Sequence, residues 1–246
     1  MHTNNIIVIM AGGLGKRMKS HLPKVLHKVL EKPMLVHVIE RALELKPMKI
    51  LVVVGKYQPV ISDTLEEYNL LQHIDFVQQP EAKGTGHAIL CCRDHLQCDA
   101  NVMILSGDVP LIKTATLEGM MNNLKYARVM TTVLEDPHGY GRIIETNGVF
   151  QKIVEEKDCN DIERKCKTTN AGIYAFKSNL LYTYLPYITN DNAQQEYYLT
   201  DIVEIIKHNE SVPIDLYNIA VENQIELTGV NTKEQLEELN RSLLKK

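Results

Sequence analysis

An α/β fold, with a mixed, mostly parallel sheet and helices on both faces, is predicted for this chain by three observations. Apolar, β-branched runs alternate with helical patterns through the first half. The runs at 6–10, 50–54 and 102–105 are apolar without a break, as in strands buried on both faces. The first of them stops at a glycine cluster, as a strand does on entering a tight loop. A βαβα order of this kind builds a parallel sheet with crossover helices.

The elements are justified in order. Residues 6–10 make the first strand. Pro33 is placed at the first position of a helix, where its missing N–H costs nothing. Leu35, Val36, Val38, Ile39, Ala42 and Leu43 give that helix an apolar face opposite Glu40, Arg41 and Glu44. Residues 50–55 make a second strand, 60–68 a helix, and 74–77 a third strand. A helix over 86–95 carries the adjacent Cys91 and Cys92, and 102–105 is a further buried strand. The second half is more mixed. A strand over 129–134 precedes a hairpin of 142–145 and 149–155, turned at Asn147-Gly148. Then come a strand at 173–176, a helix over 197–208, a strand at 214–219 and a strand ending at Thr228-Gly229-Val230. The tail, 232–244, is an amphipathic helix with Leu236, Leu239 and Leu243 on one face. No Pro- or Gly-rich linker and no internal repeat divides the chain, so a single domain over 1–246 is expected.

Composition narrows the function. The chain has 246 residues, 44% of them apolar and 24% charged, as an ordinary globular protein does. A net charge of −4 leaves no basic footprint, so no nucleic-acid partner is expected. The 9 His show no HExxH spacing, and the 5 Cys show no C-x-x-C. That is a reduced, intracellular pattern without a disulfide framework or zinc site. No apolar run approaches the ~18 residues of a membrane span, and no signal peptide is visible. The Asn209-Glu210-Ser211 sequon is read as chance. A cytoplasmic location and no membrane partner are expected; the oligomeric state is left open.

The chemistry begins in the loop Ala11-Gly12-Gly13-Leu14-Gly15-Lys16-Arg17-Met18, followed by Pro23-Lys24. It is not a P-loop, because Gly15-Lys16 is followed by Arg17 and no glycine stands five residues before Gly15. It is not the G-x-G-x-x-G dinucleotide fingerprint, because Met18 takes the third glycine's place. Three glycines leave backbone N–H groups bare for phosphate oxygens. Arg17 and Lys24 add two cations, which suits a triphosphate. An ordinary glycine-rich turn is the competing reading of the loop alone.

Three further regions add candidates. Asp108, in Ser106-Gly107-Asp108-Val109-Pro110-Leu111, follows a buried strand, where ligands lie in open α/β sheets. A carboxylate there can hold Mg²⁺ against phosphates, or it can cap a turn or helix. Gln79 can both donate to and accept from a pyrimidine edge. Gly84 and Gly86 permit close approach to a flat base; alternatively, Thr85 caps a helix. In the second half, Gly141, Glu155 and Asn170 are plausible contacts to sugar hydroxyls. Asn231, read alone, is the N-cap of the tail helix, with Glu234 completing a box-like pattern.

As a set, these motifs resemble the bacterial N-acetylglucosamine-1-phosphate uridylyltransferases. The opening loop is similar to the nucleotidyltransferase signature A-[AG]-G-x-G-[TK]-R-M. The blocks Gly84-Thr85-Gly86-His87-Ala88, Gly107 to Leu111, Gly139-Tyr140-Gly141-Arg142-Ile143, Val154 to Asp158, Asn170 to Tyr174 and Asn192 to Asp201 stand in the family's order. The resemblance spans nearly the whole chain, from Ile7 to Asn231. It implies a Rossmann-like fold of the nucleotide-diphospho-sugar transferase type. It also implies Mg²⁺-dependent transfer of UMP from UTP to N-acetylglucosamine 1-phosphate.

The same resemblance implies the site residues. Arg17, Lys24 and Asp108 are catalytic. Ala11, Gly12, Gly13, Gln79, Gly84 and Thr85 bind the nucleotide. Gly141, Glu155 and Asn170 bind the sugar, and Asp108 and Asn231 hold Mg²⁺. The halves expected are about 1–111 for the nucleotide and 112–231 for the sugar, with 232–246 as the C-terminal helix. Ser106 stands where the family often has tyrosine, which opens the choice of sugar. Gly12 stands where alanine is common in uridylyl members. The chain stops after its tail helix, either as a stand-alone uridylyltransferase or as a fragment of a bifunctional enzyme, and no acetyltransferase activity is assigned. The alternatives are a transferase for another sugar phosphate or base, and a sugar-nucleotide sensor without turnover.

Overall fold

The structure, a computed structural model, describes residues 3–13 and 15–244; Leu14 of the glycine loop lies outside the described residues. The chain runs through β1 (Thr3–Met10), β2 (Lys28–Val29), β3 (Lys32–Pro33), α1 (Met34–Glu44), β4 (Pro47–Val54), α2 (Gln58–Glu67), β5 (Asp75–Gln78), α3 (Thr85–Leu90) and β6 (Asn101–Ser106). It continues through α4 (Thr114–Met121), β7 (Ala127–Val133), β8 (Arg142–Thr146), β9 (Val149–Val154), β10 (Thr168–Lys177), α5 (Ser178–Tyr184), α6 (Asp201–Glu210), β11 (Asp215–Ile219) and α7 (Lys233–Leu243).

One sheet organises these elements. Its main order is β11-β7-β10-β6-β1-β4-β5, and the β8–β9 hairpin joins through β10. Along that order only β10 runs antiparallel to its neighbours. The expected mixed, mostly parallel sheet is therefore present. Both of its faces are covered, and β1 shows why its sequence is apolar throughout. Ile7 and Ile9 pack with α1, α2 and α4 on one face, while Ile6 and Val8 pack with α3, α5 and α6 on the other. Successive side chains of a strand point to opposite faces, and all four are fully buried. Each contributes roughly 1.5–3 kcal/mol by leaving water.

The strand order also places the site. From β1 the chain moves to β4 on one side and later to β6 on the other. The crevice beyond the carboxyl ends of β1 and β6 is thus a topological switch point, where ligands bind in open α/β sheets. Met10 and Ser106 are in register at that edge. The Gly107 N–H then donates to the Met10 carbonyl at 3.0 Å, so the two strand-end loops leave side by side.

Several expectations are corrected. Pro33 is the N-cap of α1 and ends β3, one residue ahead of the first helical position. The helix placed over 86–95 is the short α3 followed by a 3₁₀ turn at Arg93–Leu96, and Cys91 and Cys92 lie between them. Residues 197–200 precede α6, because their backbone bonds elsewhere: the Tyr197 N–H donates to Lys83 O, and Tyr197 O accepts from Gly86 N. Thr228-Gly229-Val230 is not a strand; it follows a 3₁₀ helix, Val221–Leu227. Helices α4 and α5 were not anticipated. The β2–β3 hairpin was not either, and it turns through Leu30 and Glu31, both at positive φ. That is the backbone of a tight hairpin turn made without glycine. The Asn147-Gly148 hairpin is present as expected, with φ of 52° and 73°.

Candidate active site

Lys24 is placed by two local features. Pro23 caps the 3₁₀ turn Lys24–Leu26, and Gly15 packs directly against Lys24. Gly15 has φ of +57°, and a Cβ there would stand 2.8 Å from the Lys24 Cβ. Only glycine satisfies both the conformation and the space. Gly13 is different: a Cβ there would meet nothing within 4 Å, so its face is open.

The Lys24 ammonium reaches the end of β6. It pairs with Asp108 Oδ2 and donates to Asn231 Oδ1 at 3.0 Å. Arg17 Nη2 donates to the same Asn231 oxygen at 3.0 Å. Four of the predicted residues, Arg17, Lys24, Asp108 and Asn231, therefore converge. They come from three distant segments, and a backbone bond explains how: the Val230 N–H donates to Asp108 O at 3.0 Å, bringing Asn231 alongside.

Asn231 is free for this role because it does not cap the tail helix. The cap is Thr232, whose hydroxyl accepts from the Gln235 N–H at 3.2 Å, and the Gln235 side chain returns to the Thr232 and Asn231 N–H groups. The box expected from Asn231 and Glu234 is thus shifted by one residue. Asp108 likewise caps no helix. Its Oδ1 accepts from the Ser106 hydroxyl, and the carboxyl is nearly buried. Sequence reasoning missed that Ser106 bond; two polar side chains two residues apart after a strand are its only signal.

Whether these residues fit a divalent metal can be tested on the cation already among them. Asp108 and Asn231 direct two oxygens at the Lys24 ammonium, and Arg17 shares the Asn231 oxygen, so the gap favours positive charge and its ligands are hard. No group of three His, Cys, Asp or Glu side chains forms a metal cluster among the described residues. A metal held here would need phosphate oxygens to complete its shell, which is the usual Mg²⁺ arrangement. The residues fit.

The residues expected to bind the nucleotide follow from the same strand ends. Gln79 is buried; its Nε2 donates to Gly84 O at 3.0 Å and lies 3.2 Å from His87 Nδ1. Its Oε1 is 3.1 Å from where a Cβ on Gly12 would stand, so these two positions share a wall. Ala11 is buried and donates to Val53 O at 2.8 Å. Two expectations about this region change. The close approach that Gly84 and Gly86 permit is to the backbone of Tyr197: their Cβ atoms would fall 2.5 and 2.9 Å from Tyr197 O. Gly84, not Thr85, is the N-cap of α3, and the Thr85 hydroxyl accepts from the Leu199 N–H at 3.0 Å.

The three residues expected to bind the sugar also meet. The Asn170 N–H donates to Gly141 O at 2.9 Å, and a Cβ on Gly141 would stand 3.5 Å from Glu155 Oε2. Asn170 Nδ2 donates to the buried Tyr174 hydroxyl at 2.6 Å. That partner was missed, although two polar residues four apart on one strand share a face. Thr200 donates to Glu155 Oε1 at 3.1 Å. Burial pushes the Glu155 carboxyl upward, and Asp158 adds to it against the Thr200 bond. Asp201 is pushed up to about 6, chiefly by burial and then by Glu155, Glu204 and Asp158.

A glycine loop, a paired lysine and a strand-end aspartate meet at the switch point, and similarity to known proteins makes the chain a nucleotidyltransferase. A model of the MobA-like NTP transferase domain matches residues 7–170, and the chain belongs to that family. A protein of Acanthamoeba polyphaga mimivirus, named a probable UDP-N-acetylglucosamine pyrophosphorylase, is 43% identical over 237 residues, covering 94% of this chain and 93% of its own. The bifunctional protein GlmU of Saccharophagus degradans is 40% identical over 237 residues, covering 96% of this chain and 51% of its own. The chain thus spans about half the length of that relative. A solved UDP-glucose pyrophosphorylase in complex with UDP-glucose has a TM-score of 0.76 at 18% identity, covering 100% of this chain and 99% of that one, a likeness of fold. Among the described residues no helix is long and apolar enough to cross a membrane.

Proposed function

We propose that this nucleotidyltransferase transfers UMP from UTP to N-acetylglucosamine 1-phosphate, giving UDP-N-acetylglucosamine and pyrophosphate. The observation that carries the reading is the meeting of Arg17, Lys24, Asp108 and Asn231 at the carboxyl ends of β1 and β6. The relatives' names supply the substrates.

The chemistry follows from charge. An oxygen of the sugar 1-phosphate attacks the α-phosphorus of UTP in line, and pyrophosphate leaves. The nucleophile is anionic at neutral pH, so no general base is needed. The chain's task is to position two anions and to offset charge building on the transferring phosphorus. Lys24 and Arg17 carry positive charge to that point. Ala11, Gly12, Gly13, Gln79, Gly84 and Thr85 are assigned to the nucleotide, and Gly141, Glu155 and Asn170 to the acceptor sugar. Asp108 and Asn231 would hold Mg²⁺, which supplies neutralisation of the triphosphate.

On this reading about 1–111 serve the nucleotide and 112–231 the sugar, the two halves sharing one sheet, and the remainder is the C-terminal helix, packed by the β2–β3 hairpin. Five cysteines without disulfide partners support a cytoplasmic setting.

The test is pyrophosphate release from each of four nucleoside triphosphates with N-acetylglucosamine, glucose or mannose 1-phosphate, with and without Mg²⁺. Release is expected to be fastest with UTP and N-acetylglucosamine 1-phosphate and to need the metal. Preference for another sugar phosphate in direct competition removes the acceptor assignment and leaves nucleotidyl transfer standing. Tight UDP-sugar binding with no release in any combination makes the chain a sensor instead.

A further inference from the structure

Beside the sugar-side residues lies a charged pair that the reaction itself does not use. Arg142 is one of the largest fully buried side chains, 2% exposed. Burying a guanidinium is costly unless its partners are well placed. Its Nη2 donates to Glu156 Oε2 at 2.6 Å, its Nη1 donates to the Tyr140 carbonyl, and its Nε is buried with no partner. Glu156 is more than a counter-ion. Oε2 also accepts from the Gly139 N–H at 3.3 Å, and Oε1 accepts from Arg164 Nη1 at 3.3 Å. The pair therefore grips one turn at two successive residues, the carboxylate at the Gly139 N–H and the guanidinium at the Tyr140 C=O.

That turn leads straight to Gly141, whose carbonyl holds the Asn170 N–H and whose α-carbon faces Glu155. Glu156 follows Glu155 in the chain. One strand end thus sends one carboxylate toward Gly141 and Asn170 and the next into the grip on Gly139.

We propose that Arg142 and Glu156 are positioning residues for the acceptor sugar, fixing Gly141 against Glu155 so that both meet the sugar at once. The proposal rests on the reading of Gly141, Glu155 and Asn170 as the sugar-side residues. The competing account is stability alone. Buried ion pairs serve stability poorly, since apolar residues of similar size often replace them without loss, and the unpartnered Nε adds to the cost of this one.

The experiment compares R142M, R142K, E156Q, E155Q and N170A with the unaltered chain. Initial rates are measured with UTP and N-acetylglucosamine 1-phosphate varied separately, and amide hydrogen exchange is followed over residues 137–141. R142M and E156Q are expected to raise the KM for the sugar phosphate roughly tenfold or more while the KM for UTP stays within about twofold, because a displacement of order 1 Å is costly to a positioned reactant. Exchange at the Gly139 amide should quicken in both. R142K should not restore the sugar KM, because one ammonium cannot span Glu156 and Tyr140 O as a planar fork does. Should R142M fail to fold, E156Q, altered at a partly exposed group, carries the test. An unchanged sugar KM in folded E156Q, with E155Q still raising it, overturns the clamp and leaves the sugar site intact. An unchanged sugar KM in E155Q and N170A removes the sugar site, and the clamp falls with it.

Discussion

Lys24 holds the centre of the site together, since its ammonium is shared between a carboxylate and an amide oxygen. Lys24→Ala is expected to lower turnover ~10²-fold or more, the scale of losing one preorganised transition-state contact. It should also lower the melting temperature, because the nearly buried Asp108 carboxylate keeps Ser106 as a partner but loses its counter-charge. Steady-state rates on the purified variant, with circular dichroism to show that it is folded, check both. Turnover close to that of the unaltered chain removes Lys24 from the site. Arg17, Lys24 and Asp108 were legible because glycine loops and strand ends are where phosphate and metal chemistry collects in α/β sheets. Asn231 was legible only through resemblance. Asn and Thr are both good N-caps, and nothing local decides between Asn231 and Thr232; the choice is made by Gln235, four and three residues on.

At the level of elements, the strands were legible and the short helices were not. A strand buried on two faces is an unbroken apolar run. The seven-residue α5 and eight-residue α4 offer too little repeat for a 3.6-residue period to show. The start of α6 was misplaced for a non-local reason, since the Tyr197 backbone is spent on Lys83 and Gly86. That contact yields a graded prediction. Gly84→Ala combines φ of +110° with a Cβ 2.5 Å from Tyr197 O, Gly86→Ala meets the same oxygen at 2.9 Å, and Gly13→Ala meets nothing within 4 Å. Destabilisation in a urea titration should follow that order, with Gly84→Ala costing at least about 1–3 kcal/mol and Gly13→Ala near zero. Equal midpoints for the three variants would show that the Tyr197 segment yields freely.

For the molecule as a whole, acidity should act through the carboxylates grouped around α6. Asp201 is held at about 6 against an ordinary 3.8. Between those values the folded chain keeps a proton that the unfolded chain releases, so this group's contribution to stability falls as pH rises through the window. Asp201→Asn removes that titration. Its melting temperature should gain on the unaltered protein at about pH 7.5 relative to about pH 4, and a pH-independent difference would contradict the coupling. Whole-molecule architecture was largely readable, because alternating strands and helices allow few topologies. The meeting of distant segments at the site was not, because it depends on single backbone bonds such as that from Val230 to Asp108. The bonds from Arg17 and Lys24 to Asn231 span 214 and 207 residues of chain. During synthesis the two cations leave the ribosome early, and Asn231 emerges only after the whole stretch between them has been made. The N-terminal strands can pair and bury their side chains well before that, as nascent chains fold from the N-terminus. A nascent chain stalled short of Asn231 therefore lacks the oxygen on which Arg17 and Lys24 meet. The oxygen shared at this centre is thus made long after the two cations that share it.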